Sequence, residues 1–265
     1  MREAANRLSC SNNLRQLGLA LHQFHNDHGA FPPGQVQGPY PPAGVFWPVN
    51  HGWAVFILPY IEQQPLYDLY HWDKKLSDPS NQPVVGTPLS LFQCPSSPQQ
   101  NRLMTTWPFD YPGGKAACGD YAPTWSVDPA LAAGDNSGVL VPNCMTSLDR
   151  IPDGTSNTIM LTEVAGRPAW WQASTLVNGQ VIQGGPWAGF NTGVTFKGYT
   201  FDGKSPSGPC AVNCTNDQQI YSFHTGGAYA LFADVHVQFL STSLSVKTLA
   251  ALITRAGGET VEEYY

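Results

Sequence analysis

Histidine and carboxylate are the residue types in this chain best suited to chemistry, and three groupings bring them close in sequence. Asp234 and His236 stand two apart in an alternating segment, so an extended strand points both to one side, and His224 lies shortly upstream. An imidazole, a carboxylate and a second imidazole suit zinc or another divalent ion with open positions for water. Such an ion lowers the pKa of bound water and hydrolyses bonds of the phosphate-ester type. His22 and His25, with Asp27, form a second set on one flank of a helix, where an i, i+3 pair can share a metal. The plainer reading is that a histidine bordering a core bonds a backbone carbonyl. Asp149, Asp153, Asn157 and Glu163 form a third set, hard oxygen ligands of the kind calcium takes, without EF-hand spacing. Turn formation alone explains Asp153-Gly154 and Asn157. A divalent metal, zinc or calcium, is thus the candidate cofactor, and none is required.

Other chemistries find little footing. There is no G-x-S-x-G elbow, no phosphate loop and no cysteine in an obviously activated pairing with histidine. The tryptophans Trp47, Trp53, Trp72, Trp107, Trp125, Trp170, Trp171 and Trp187 suit either a carbohydrate or peptide groove or, more simply, satellite core. The Trp- and Gly-rich loops of 165–200 are the candidate rim of a pocket if the chain is an extracellular solute-binding module. A net charge of −6 over 265 residues, with no basic block, disfavours nucleic acid and acidic membrane surfaces as partners.

The elements that must position these residues are short, with one exception. Only 12% of residues are charged, while 26 glycines and 23 prolines accompany 12% aromatics, a balance that favours strands and structured turns. The exception is the first 28 residues, where Cys10, Leu14, Leu17, Leu21, Phe24 and His28 fall at helical spacing and Gly29 with Pro32-Pro33 stops the helix. This helix opens on Arg2-Glu3-Ala4-Ala5 without a capping residue, as if continuing from an upstream segment. Trp53–Ile61 is an apolar run, helix or buried strand; a short helix or extended segment fits around Val84 to Phe92; and 105–150 is glycine-rich with little periodicity. Ile159–Val164 reads as a strand, 228–233 and 235–240 as a β-hairpin turning at Asp234, and Val246–Ala256 as a helix capped by Ser245 and stopped by Gly257-Gly258. A polar tail follows.

Six cysteines form an even set without zinc-ribbon spacing. Cys210 and Cys214 are close enough to bridge locally, Cys118 and Cys144 are a candidate staple across a long loop, and Cys10 and Cys94 are left to tie the helix to the body. The alternative is that some are free buried thiols. Disulfides point to an oxidising compartment. No stretch of about 18 apolar residues and no signal-peptide pattern is present.

Three separated blocks resemble one family: Cys10-Ser11-Asn12-Asn13-Leu14-Arg15-Gln16-Leu17-Gly18-Leu19-Ala20-Leu21-His22 with His25 and Phe31-Pro32-Pro33-Gly34; Ile151-Pro152-Asp153-Gly154-Thr155-Ser156-Asn157-Thr158; and Ser222-Phe223-His224-Thr225-Gly226-Gly227 with Phe232-Ala233-Asp234. Over nearly its full length the chain resembles the DUF1559 family, planctomycete proteins with a type IV pilin-like start. The resemblance implies a prepilin cleavage site and an apolar helix ahead of Arg2, absent from this sequence, which would anchor the protein in the inner membrane or pack in a filament core. It implies an α+β, pilin-like fold: a helix over 1–30 packed on an antiparallel sheet, within one domain with a β-rich head over 31–265. The role it implies is an exported structural or interaction subunit of a type IV pilus or type II secretion system, periplasmic or at the cell surface. Its partners would be other pilin-like subunits or secretion machinery, with the membrane touched only through the missing segment. No catalysis is then required; a metal-dependent hydrolase is the alternative. Where the family pattern continues Asp-Gly-Ser, this chain has Asp234-Val235-His236. Val235 therefore stands where a tight turn favours glycine, and His236 adds a ligand type the pattern lacks.

Overall fold

A computed structural model describes residues 2–107 and 111–259, with the side chains of 106, 107 and 111–113 outside that description. The helices are α1 (Arg2–His28), α2 (Gln64–Leu69), α3 (Gln82–Val85) and α4 (Val246–Ile253). The strands are β1 (Gln35–Val36), β2 (His51–Gly52), β3 (Leu103–Trp107), β4 (Tyr111–Ala117), β5 (Tyr121–Val127), β6 (Ile159–Glu163), β7 (Ala169–Gln172), β8 (Thr175–Val181), β9 (Val194–Phe196), β10 (Gly227–Phe232) and β11 (Val237–Ser241).

Helix α1 follows its spacing. Cys10, Leu14, Leu17, Leu21 and Phe24 are buried, each large apolar side chain contributing roughly 1.5–3 kcal/mol. His28, last in the stripe, is exposed and stacks on Phe24 with ring centroids 4.0 Å apart. Gly29, at φ +77°, takes the left-handed turn that ends the helix, its amide bonding the His25 carbonyl at 2.7 Å. The run Trp53–Ile61 becomes a 3₁₀ helix, buried from Trp53 to Leu58, and packs against α1.

The main sheet has the order β11-β10-β6-β5-β9. It corrects the expected antiparallel, pilin-like sheet: β5 and β9 run parallel, with Thr124 beside Val194 and Val127 beside Phe196, so the sheet is mixed. Parallel neighbours need a long crossover, and here the chain leaves β6, forms the β7–β8 hairpin outside the sheet, and returns at β9 on the far side of β5. Successive residues of β10 face opposite layers. Leu231 joins Met160, Leu161 and the α1 stripe, while Ala230 and Phe232 join Ile159, Phe196 and the Leu249, Leu252 and Ile253 face of α4. Two cores therefore cover the two faces of one sheet.

Strands β4 and β5 fall within the glycine-rich stretch of little periodicity. Four consecutive residues of β5, Tyr121–Thr124, are buried, so no polar-apolar alternation marks the strand. The β10–β11 hairpin turns through Val235 at φ +76°, a costly conformation for a β-branched residue that the departure from glycine predicts. Ser245 caps α4, accepting the Thr248 amide at 3.0 Å, and the helix ends at Ile253, ahead of Gly257-Gly258. Within the tail, 260–265 lie outside the described residues.

Cys10–Cys94 and Cys210–Cys214 are bridged. The expected Cys118–Cys144 staple is corrected: both are free thiols. Cys118 is buried where β4 leads toward β5, its backbone bridged to Pro186, whereas the Cys144 thiol turns to the Met145 carbonyl at 3.7 Å. Burial pushes the Cys118 thiol up to about 12, which leaves it unreactive as a thiolate. Two disulfides suit an oxidising compartment. No helix among the described residues is long and apolar enough to cross a membrane.

Candidate functional site

Four elements meet at one buried cluster. Helix α1 brings Cys10; the segment after the 3₁₀ turn Ser90–Phe92 brings Cys94; Glu163 is the last residue of β6; and His224 stands just before β10. One ligand atom from each lies within 4.8 Å of every other, and all four residues are buried. Strand pairing explains the approach of the last two, because β6 and β10 are neighbours and Tyr229 donates its amide to Glu163 Oε2 at 2.7 Å. The His224 loop is held locally by Ser222, whose hydroxyl accepts the His224 amide at 3.1 Å and donates to the Gly227 carbonyl at 2.6 Å.

Each nitrogen of the His224 ring faces a carboxylate. Nδ1 lies 2.6 Å from Glu3 Oε1, in the first turn of α1, and Nε2 lies 3.3 Å from Glu163 Oε1 and 3.4 Å from Cys94 Sγ. Glu163 Oε1 is buried and makes no hydrogen bond. Burial pushes the Glu163 carboxyl above the usual range, and the facing imidazole recovers only part of that cost. Burial opposes charge on His224 too, but Glu163 and Glu3 together hold it above the ordinary imidazole value. Glu3 is lowered: its partial burial is outweighed by hydrogen bonds from His224 and Ser96, the latter at 2.9 Å.

A second charged layer supports the first. The Cys94 amide and the Ser97 hydroxyl both donate to Asp120 Oδ2 at 2.9 Å, the Gly166 amide donates to Oδ1 at 3.0 Å, and the Arg102 guanidinium pairs with the same carboxylate. The loop carrying Cys94 is thereby fixed to the start of β5. Chemically, the arrangement is a disulfide lying beside an imidazole held between two carboxylates.

The residues singled out by sequence divide. Asp234 and His236 do come together, Oδ1 to Nδ1 at 2.5 Å, with the His236 ring stacked on Phe232. His224 does not join them; among the described residues its convergent donors are Cys10, Cys94 and Glu163. His22 bonds the Ala233 carbonyl at 2.8 Å and, like His25, packs its ring against Phe31, while Asp27 accepts from the Tyr60 hydroxyl. Asp153 receives the Gly257 amide at 2.7 Å and the Gly258 amide at 3.2 Å, Asn157 donates to the Asp153 carbonyl, and Glu163 points elsewhere. Trp53 and Trp187 are core; Trp47 and Trp72 wall a cleft of about 350 Å³ with Phe24, Phe56 and Tyr60, to which 165–200 contribute nothing. The side chain of Trp107 lies outside the description.

The first and third sequence blocks thus supply Cys10 and His224, and the strand that follows the second supplies Glu163. Residues 1–247 match the family described as a protein of unknown function, DUF1559. The chain belongs to the DUF1559 family. No curated protein and no solved structure matches it. In this DUF1559 protein the sequence reading missed Glu3, Asn6 and Arg7, the polar upstream continuation of the helix stripe, and Asn13 beside it. Asn6 donates to the Ser96 hydroxyl at 3.2 Å, Arg7 to the Thr225 carbonyl, and Asn13 to the Gln93 carbonyl at 3.0 Å. Their signal was spacing: 3, 6 and 7, 10, 13 and 14 and 17 lie on one helical face.

Proposed function

We propose that this DUF1559 protein is an exported structural or interaction subunit that works outside the cytosol, with other exported subunits or secretion machinery as its partners. The observation that carries the reading is the Cys10–Cys94 bridge, which crosses 84 residues of sequence to fasten α1 to the head at a fully buried point. A covalent fastening of this kind persists where thiols are not kept reduced. The polar contacts from Glu3 to Asn13 fasten the same helix face to the head, at Gln93, Ser96, His224 and Thr225. A rigid helix-bearing head suits assembly rather than turnover. A hydrolytic site gains no support, because the histidine and carboxylate ligands it would draw from 224, 234 and 236 do not converge.

The experiment is thiol trapping in intact cells that make the protein from its native gene. Cells are quenched with an alkylating agent, fractionated, and the protein is digested without reduction. The reading expects envelope or external fractions carrying the linked Cys10 and Cys94 peptides and unlinked Cys118 and Cys144. Recovery from the cytosol with Cys10 and Cys94 both alkylated overturns it.

A further inference from the structure

We propose that the buried cluster is a zinc site when its disulfide is reduced, with Cys10 Sγ, Cys94 Sγ, His224 Nε2 and Glu163 Oε1 as the four ligands. The metal then replaces the covalent bond as the link between α1 and the head. The inference goes beyond the structural role above and does not depend on the compartment in which the protein works.

The donor set fits. Two thiolates, an imidazole and a carboxylate are a soft, nitrogen-bearing tetrahedral set of the kind zinc takes, whereas magnesium and calcium demand oxygen. Tetrahedral zinc with bonds of about 2.0–2.3 Å spaces its ligands roughly 3.3–3.8 Å apart. The donors here already lie within 4.8 Å of one another, so the site closes by movements of about an ångström. The two cysteine Cα atoms are 5.3 Å apart, which leaves room for the sulfurs to separate to roughly 3.7 Å by side-chain rotation.

The surrounding contacts are those that orient metal ligands. Histidine ligands usually give their second ring N–H to a carboxylate, which fixes the tautomer and aims the free nitrogen at the metal. His224 gives Nδ1–H to Glu3 at 2.6 Å and turns Nε2 toward the sulfurs and Glu163. The Tyr229 amide holds Glu163 Oε2, and Oε1 is left buried on the site's side facing His224 Nε2 at 3.3 Å. A buried carboxylate oxygen whose sole close approach is one long ion-pair contact is costly, and a metal bond satisfies it. Glu3 is 43% exposed, so the site lies one side chain beneath the surface.

The chemistry balances with a dithiol as reductant. The dithiol gives two electrons and two protons to the Cys10–Cys94 bond and becomes a disulfide; the S–S bond breaks and two thiols form. Zinc binding releases those two protons to solvent, together with the proton between His224 Nε2 and Glu163 Oε1. The bound site then carries two thiolates, one carboxylate and a neutral imidazole around Zn²⁺.

The test uses the full chain reduced by a dithiol, desalted without oxygen and titrated with cobalt(II), then zinc(II). We expect one equivalent of cobalt with a thiolate-to-cobalt charge-transfer band, displaced by zinc, and no such band from the oxidised protein. Reduction also opens Cys210–Cys214, so alkylation mapped by peptide mass spectrometry assigns the site: zinc should protect Cys10 and Cys94 and leave Cys210 and Cys214 reactive. His224→Ala should abolish the band. Glu3→Gln, a change at a half-exposed position, should weaken zinc binding about 10–100-fold. Cobalt binding without the thiolate band, protection at cysteines other than Cys10 and Cys94, or affinity unchanged in both variants would overturn the proposal.

Discussion

Glu3 and His224 stand 221 residues apart in sequence and share a hydrogen bond of 2.6 Å, Nδ1 donating to Oε1. This contact makes the first turn of α1 part of the head's buried chemistry. Without it, the His224 ring would rely on Glu163 alone, a carboxylate that is itself buried and half-satisfied.

The two carboxylates should therefore differ in weight. Glu163→Ala strands the His224 ring and the Tyr229 amide in the core, and we expect a loss of about 2–5 kcal/mol, with Glu163→Gln milder because the amide oxygen still accepts from Tyr229. Glu3→Ala removes a half-exposed partner and should cost about 1 kcal/mol. Urea unfolding of both single variants and the double variant measures this. Because both act through one imidazole, the losses should not add; simple additivity would place the two contacts outside one network.

The two disulfides should also be unequal. Cys10–Cys94 closes a sequence separation of 84 and Cys210–Cys214 one of 4. Loop entropy assigns the first about 4–5 kcal/mol and the second about 2 kcal/mol. A Cys10→Ala, Cys94→Ala double variant should reproduce most of the melting-temperature drop that reduction causes, and a Cys210→Ala, Cys214→Ala variant only a minor part. The reverse ranking would mean that α1 is held mainly by its noncovalent contacts.

How far sequence reached into this structure follows from what each pattern encodes. The α1 stripe, the β6 strand, the β10–β11 hairpin and the α4 cap were legible because period, turn and cap are local properties. Strand β5 was not, since burial on both faces erases alternation and Pro123 argues against a central strand. The site was half legible. Cys10 and His224 stood out as chemical residues and Glu163 entered an oxygen cluster, but their meeting depends on β6 lying next to β10 and on Cys94 folding under α1, both long-range facts. Of the His224, Asp234 and His236 grouping, the two residues of the turn meet, while His224 lies beyond the other end of β10, with Cys10, Cys94 and Glu163.

Close packing of α1 on the sheet rests on Gly18. A Cβ there would come within 2.9 Å of Leu231 Cδ1 and 3.1 Å of Val235 Cγ1, both movable side-chain ends. Alanine gains helix propensity worth up to about 1 kcal/mol and meets that crowding, so Gly18→Ala should fall within about 1 kcal/mol of the parent. Gly18→Leu cannot be absorbed and should cost about 1–3 kcal/mol or more by lifting α1 away from β10. Thermal melts of the pair give the comparison; equal stability of the leucine variant would show that α1 does not seat on Leu231.

Acid sensitivity should trace to His51. Its Nδ1 takes the Tyr70 hydroxyl at 2.7 Å and its Nε2 donates to the Trp72 carbonyl at 3.1 Å, an arrangement that needs the neutral ring. Burial drives its pKa down to about 4, the Trp72 bond opposing only in part. In the unfolded chain the value returns to about 6.5, so the unfolded state takes up the proton first. The neutral ring's contribution is thus complete above about pH 6.5 and is lost as pH falls toward 4, a loss of roughly 3 kcal/mol. His51→Gln should lower stability at neutral pH but flatten its fall between those limits. Denaturant midpoints at about pH 7, 5.5 and 4 test this, and parallel curves for parent and variant would assign the acid loss to other groups.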